Sequence, residues 1–139
     1  MSVKTKSKNT LNSAFTLIEL VVVVVIVGVL VSLGVPLYMR TVERARDYEA
    51  KTNLLLIHAA QLIYRAENNF YYPPGSTTSN LSDINNYLHL NLNDNLWTYS
   101  ITGTLTTFVA QALRNGGGFN RLYNMSETLD EATCVGTCP

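Results

Sequence analysis

A single apolar run near the N-terminus constrains this chain more than any other feature. From Phe15 to Val35 there are 21 residues, and their only polar side chains are Thr16, Glu19 and Ser32. As an α-helix, such a run is about 30 Å long, which matches the thickness of a bilayer's hydrocarbon core. The sequence therefore predicts one membrane-spanning helix at this position.

The charges beside the run predict its orientation. Lys4, Lys6 and Lys8 precede it without any acidic residue, whereas the residues that follow it carry both signs. Because basic residues are retained in the cytoplasm, we expect a cytoplasmic N-terminus and the rest of the chain outside. A secretory signal peptide is the alternative, but this run is longer than a typical one and lacks a small-x-small cleavage site at its end.

Glu19 is the one acidic residue inside the run. A carboxylate at the centre of a membrane helix costs about 2.5 to 3.5 kcal/mol, so such residues usually face a partner. We expect a cationic group to meet Glu19.

The segment Ala14-Phe15-Thr16-Leu17-Ile18-Glu19-Leu20, followed by a Val/Ile-rich run, resembles the class III signal of type IV pilins and pseudopilins. In that family, prepilin peptidase cuts immediately before the Phe, leaves the apolar segment in place and methylates the new N-terminus. The resemblance implies cleavage between Ala14 and Phe15 and N-methylation of Phe15. The family usually has Gly before the cut, so Ala14 predicts slower cleavage.

The resemblance also implies an assembly role for Glu19. After cleavage Phe15 carries an ammonium group, and Glu19 lies about one helical turn further along nearly the same face. In the family, this glutamate pairs with the N-terminal amine of a neighbouring subunit, which would neutralise a buried charge. Pairing within one chain is the alternative that the residues leave open.

The pattern predicts that the helix continues to about Asn68. Pro36 removes one helical hydrogen bond, and together with the preceding Gly34 it predicts a kink. The resemblance agrees, since in filaments of the family the helix is often opened near such a proline. The predicted buried face, at the three-and-four spacing of one helical side, consists of Ala45, Tyr48, Thr52, Leu55, Leu56, Ala59, Leu62, Ile63 and Ala66. The predicted solvent face consists of Arg44, Glu49, Lys51, His58, Arg65 and Glu67.

Beyond the helix, the sequence predicts loops and a sheet. Ser76 to Asn95 is predicted to be a loop with one helical turn at Ser82 to Tyr87, capped at Ser82-Asp83. Three antiparallel strands are expected at Trp97–Ile101, Leu105–Leu113 and Phe119–Met125.

These elements predict an α+β fold like that of the pilins. A long N-terminal helix spans the membrane with its first half and packs its amphipathic second half on a small antiparallel sheet. The expected divisions are a leader at 1–14, a transmembrane and assembly helix at 15–36, and a globular domain at 37–139.

The remaining residues do not indicate a catalytic or cofactor-binding site. Cys134 and Cys138 favour a disulfide in an exported protein, with free thiols or a metal site as alternatives. His58 and His89 are predicted to be solvated surface residues. The sequence shows no phosphate loop, nucleophile elbow or paired catalytic acids, so we expect no enzyme, no cofactor and no metal.

Charge argues against a nucleic-acid partner. Without Lys4, Lys6 and Lys8, the chain's ten basic residues become seven, against ten acidic ones, a net charge of about minus three. A nucleic-acid module would show a basic stripe instead.

The resemblance implies a structural subunit of a type IV pilus or similar helical filament of identical copies. Its implied partners are prepilin peptidase, an assembly platform with its ATPase, and the bacterial inner membrane before export to a pilus or a periplasm-spanning pseudopilus. The alternatives are the major pseudopilin of a type II secretion system and, from another class, a membrane-anchored periplasmic binding domain that never polymerises.

Overall fold

The structure is a computed structural model that describes residues 15–116 and 121–136. In chain order the elements are α1 (Leu17–Asn68), β1 (Ser76–Thr78), α2 (Leu81–Leu88), β2 (Trp97–Gly103), β3 (Phe108–Arg114), β4 (Arg121–Ser126) and β5 (Thr133–Gly136). Helix α1 contributes to two compact units, an N-terminal unit that ends at Arg40 and a C-terminal unit that begins at Thr41.

The N-terminal unit contains the apolar half of α1. The backbone N–H of Glu19 donates to Thr16 Oγ1 at 3.3 Å, so Thr16 satisfies one of the free N–H groups at the start of the helix. By length and composition, α1 has a segment that can cross a membrane. The helix runs through Gly34 and Pro36 without interruption, and the expected kink there stays a prediction.

The C-terminal unit contains a five-stranded antiparallel sheet in the order β1-β2-β3-β4-β5. The prediction of three strands was therefore wrong, because β1 and β5 have only three and four residues and show no clear alternation. β1 pairs with β2, which follows it by about twenty residues, with Thr78 opposite Ile101. The predicted loop from Ser76 to Asn95 thus contains a strand and a helix.

The local boundaries also differ from the sequence prediction. Helix α2 spans Leu81–Leu88 and so begins one residue earlier and ends one residue later than expected; its N-cap is Asn80, which accepts from the N–H of Ser82 at 3.1 Å, rather than Ser82. Strand β3 begins at Phe108 rather than Leu105, since Thr104 and Thr107 close a turn through a 2.8 Å backbone hydrogen bond.

The helical face that packs on the sheet is not the predicted one. Every residue of the predicted buried face is exposed. The residues of α1 that are buried are Asp47, Ala50, Leu54, Ile57, Ala60 and Gln61. The sequence contains apolar residues at helical spacing on two sides of α1, and the side with more of them faces outward.

The core lies between this face of α1 and one side of the sheet. Alternate strand residues point inward, so that Trp97, Tyr99 and Ile101 of β2 are at most 1% exposed. His58 also packs inward, with its ring 5.6 Å from that of Phe108 and its Nε2 atom buried, which corrects the expectation of a solvated side chain.

Candidate functional site

The start of α1 brings together the residues of the predicted processing and assembly site. Phe15 is 79% exposed and Glu19 lies in the first turn of α1, where the positive end of the helix dipole favours a carboxylate. Within the described part of the chain, Glu19 forms no salt bridge. Ala14 lies outside the described residues, so only one side of the predicted cleavage site is described.

The N-terminal unit exposes a complete apolar surface. The large hydrophobic side chains from Leu17 to Met39 are all at least 44% exposed. A helix that is apolar on every side is stable only inside lipid or inside a protein assembly. This surface therefore needs a cover that the described part of the chain does not supply.

In the C-terminal unit, α1 exposes a narrower apolar surface, which we call the outer stripe. It lies on the side of the helix opposite to the buried face. Its members are Tyr48, Thr52, Leu55, Leu56, Ala59, Leu62, Ile63 and Ala66. Tyr48 is 70% and Ile63 is 62% exposed, although both were expected in the core. The outer stripe is a second surface that lacks a partner among residues 15–116 and 121–136.

A buried ion pair fixes the sheet to the opposite side of α1. Arg121 Nη1 lies 3.0 Å from both carboxylate oxygens of Asp47, and both side chains are less than a tenth exposed. Glu43 accepts from the same guanidinium at 3.2 Å. Burial and the negative charge of Asp47 raise the pKa of the Tyr123 hydroxyl. These groups stabilise packing, and they were missed because charged residues rarely predict a buried helical face.

Two shallow cavities border the outer stripe. One, of about 250 Å³, is lined by Arg44, Asp47, Tyr48, Lys51 and Tyr123, and the Lys51 ammonium lies 5.5 Å from the centre of the Tyr123 ring. The other, of about 270 Å³, is an apolar groove between α1 and α2 with Glu67 and His89 among its lining residues. His89, unlike His58, is exposed as expected.

The remaining predicted site residues do not form a reactive centre. Cys134 is disulfide-bonded, and Cys138 lies outside the described residues. Across residues 15–116 and 121–136, no three His, Cys, Asp or Glu side chains converge as a metal site would require. The geometry thus offers apolar and charged surfaces for contact with other molecules.

Comparison with known proteins adds a family match at the N-terminus. Residues 10–35 match the family described as the prokaryotic N-terminal methylation motif. This segment includes Phe15 and Glu19, as well as Ala14 just before them.

Three curated relatives are similar over less than half of the chain. The type IV major pilin protein PilA of Myxococcus xanthus is 40% identical over 63 residues, which cover 45% of this chain and 29% of that protein. The type II secretion system core protein G of Pseudomonas aeruginosa is 46% identical over 61 residues, or 44% of this chain and 42% of that protein. The core protein G of Escherichia coli is 40% identical over 57 residues, or 41% of this chain and 39% of that protein.

The matched part of the chain spans less than half the length of each of these relatives. No solved structure matches the chain.

Proposed function

We propose that this chain, whose N-terminal segment is that of the type IV pilin and pseudopilin family, is a structural subunit of a type IV pilus or pilus-like filament. Identical copies polymerise through α1, and the chain has no catalytic step of its own. The observation that carries the proposal is the exposed apolar surface of α1, which is present in both units.

Before assembly, the inner membrane covers the N-terminal unit. The run of exposed side chains from Leu17 to Met39 fits a bilayer in length, and the basic residues before it favour a cytoplasmic N-terminus. In the filament, the same surface is covered by the helices of neighbouring copies. Prepilin peptidase makes the membrane-embedded subunit competent for assembly into the filament by cutting between Ala14 and Phe15 and methylating Phe15.

The outer stripe distinguishes a polymer from a membrane anchor. A bilayer that covers the N-terminal run cannot also cover residues such as Leu62 and Ile63, which follow Val35 by more than 25 positions along the sequence. A second copy of the chain, whose own helix is apolar over the same length, is the occupant that fits both surfaces. Glu19 is then neutralised by the N-terminal ammonium group of Phe15 on a neighbouring copy.

Processing is tested by mass spectrometry of the membrane fraction. We expect an N-terminus at Phe15 that carries a methyl group. An intact N-terminus at Met1 or Ser2 in assembled material would contradict the proposal.

Assembly is tested with Glu19→Ala, with Ser32→Ala as a matched control that also removes a polar group from the apolar run. The Glu19 variant leaves the Phe15 ammonium without a partner, so we expect surface filaments to fall by more than about tenfold. The control should keep them. Equal filament amounts in both variants would contradict the assembly role of Glu19, whereas no filaments from the wild-type chain would favour a membrane-anchored domain that does not polymerise.

The similarity to core protein G supports a second candidate, the major pseudopilin of a type II secretion system. Both candidates require the same processing and the same helix packing. Deletion of the gene separates them, because a pseudopilin is needed for protein export whereas a pilin is needed for surface filaments.

A further inference from the structure

The outer stripe is bordered by opposite charges on its two sides. Arg44 and Lys51 are seven residues apart, so at about 100° per residue they lie within about 20° of each other on one side of α1. Glu67 lies about 160° around the helix from Lys51 and about 24 Å further along its axis. One helix therefore carries cations on one side of the stripe and a carboxylate on the other, at different heights.

These charges are not neutralised by the part of the chain that the structure describes. Asp47, which lines the same cavity as Arg44 and Lys51, is already paired with Arg121 at 3.0 Å. The Lys51 ammonium lies 5.9 and 5.5 Å from the ring centres of Tyr48 and Tyr123, and it forms no salt bridge with a described residue. Neither Arg44 nor Glu67 forms a salt bridge with a described residue.

The position of the charges fits a parallel neighbour. When two copies with the same orientation pack side by side, each uses the opposite side of its helix toward the other. A separation of about 160° therefore points Lys51 of one copy and Glu67 of the next toward the same interface. Such a contact joins two different surfaces of the same chain, and repetition of it makes an open polymer rather than a closed ring.

We propose that Glu67 of one copy pairs with Lys51 of a parallel neighbour, with Arg44 about 10 Å further along the same side adding to the positive charge, and so sets the axial offset between copies at about 24 Å. This inference rests on the proposed filament. The apolar stripe supplies contact area that tolerates sliding, and the charges at its borders select one register, as charged residues do beside the apolar seam of a coiled coil.

Carbodiimide cross-linking of wild-type filaments tests the contact directly. The reagent joins an amine to a carboxylate at ion-pair distance and takes up the water that is lost, and Lys51 is the only lysine after Ala14. Because Lys51 and Glu67 lie about 24 Å apart along the helix of one copy, an amide between them joins two copies, and treated filaments should give a ladder of covalent multimers. The matched control, Lys51→Arg, keeps the positive charge but forms no amide and should give no ladder.

Filaments that form but show no ladder would overturn the pairing and leave the filament proposal intact. Absence of filaments from the wild-type chain would instead contradict the proposed function itself. The two failures are thus distinguishable.

A charge exchange provides a second measurement. Lys51→Glu and Glu67→Lys should each lower the amount of filament by about tenfold, because each places like charges opposite one another. The double variant should recover most of the loss, and Glu131→Lys, which changes an exposed acid elsewhere, should cause none. If Lys51→Glu loses filaments and Glu67→Lys does not restore them, the cations bind another anion, such as a lipid phosphate, and the pairing is wrong.

Discussion

Single polar residues hold the C-terminal unit together at positions where an apolar residue would be expected. Asp47 and Gln61 lie on the buried face of α1, at 4% and 0% exposure, and each has a defined partner. Asp47 pairs with Arg121, and Gln61 binds both the N–H and the carbonyl of Tyr72. Removal of one partner from either pair is strongly destabilising, because the other partner stays buried without a hydrogen bond or counter-charge.

Asp47→Ala should lower the free energy of unfolding by about 3 to 5 kcal/mol, since it leaves the Arg121 guanidinium buried beside an empty site. The full chain in detergent micelles can be unfolded with urea and followed by the fluorescence of Trp97, the only tryptophan. Glu131→Ala, at an exposed position, is the control and should change the value by less than about 0.5 kcal/mol. A small effect of Asp47→Ala would mean that water reaches the pair.

Tyr99 makes the free energy of unfolding depend on pH in the alkaline range. Burial raises the pKa of its hydroxyl, which also accepts a 2.7 Å hydrogen bond from Asn53. A raised pKa in the folded state means that the contribution is complete below the unfolded value of about 10 and is lost as pH rises through the folded value. The free energy of unfolding should therefore be lower at pH 11 than at pH 9, and Tyr99→Phe should reduce that difference.

At the scale of elements, the connection between α1 and the sheet depends on close backbone contacts. Gly103 at the end of β2 lies so near the segment Tyr72-Pro73 that a Cβ atom would be 2.6 Å from the carbonyl oxygen of Pro73. No side chain can be accommodated there unless the backbone moves. β1 is held in place by the same contact region, because Ser76 pairs with Gly103.

Gly103→Ala should therefore destabilise the C-terminal unit by about 1 to 3 kcal/mol, the usual cost of overpacking. Gly75→Ala is a useful contrast, because its Cβ would meet open space and only its positive φ of 66° opposes the change. Urea unfolding monitored by Trp97 fluorescence measures both. If Gly103→Ala proves neutral, the Tyr72-Pro73 segment is able to shift.

The sequence predicted the existence of the main elements better than their faces or edges. The end of α1 at Asn68 is confirmed, because an Asn pair followed by two prolines and a glycine cannot continue a helix. The inward alternation of Trp97, Tyr99 and Ile101 is also visible in the sequence. β1 is not, since Ser-Thr-Thr becomes a strand only through its pairing with the distant β2.

At the scale of the whole molecule, α1 has two apolar sides with different uses. One side forms the core with the sheet, and the outer stripe is exposed, as the proposed contact with a second copy requires. The three-and-four spacing is satisfied on both sides, so hydrophobicity alone cannot distinguish them. This is why the sequence assigned the outer stripe to the core. Glu19 was singled out by a different signal, a lone charge in an apolar run, and its assembly role stays a prediction.

Substitutions on the outer stripe and on the buried face of α1 should have opposite effects on stability and on filament formation. Leu55→Ser combined with Ile63→Ser should leave the free energy of unfolding within about 1 kcal/mol of the wild-type value, because both side chains are exposed, and should abolish filaments. Leu54→Ala, at a fully buried position, should cost about 2 to 5 kcal/mol of stability.

Urea unfolding and electron microscopy of surface filaments measure the two properties separately. Loss of stability in the double serine variant would show that the outer stripe contributes to the core after all.

The short strands at the edges of the sheet limit unwanted pairing between neighbouring copies in the proposed filament. An exposed edge is a template for pairing with another chain, and long flat edges lead to amyloid. Here one edge is the three-residue β1, made of Ser and Thr, and the other is the four-residue β5, which ends at Gly136 with a φ of 111°. In the proposed filament, where each subunit lies at very high local concentration beside identical copies, such short edges offer little template for misassembly.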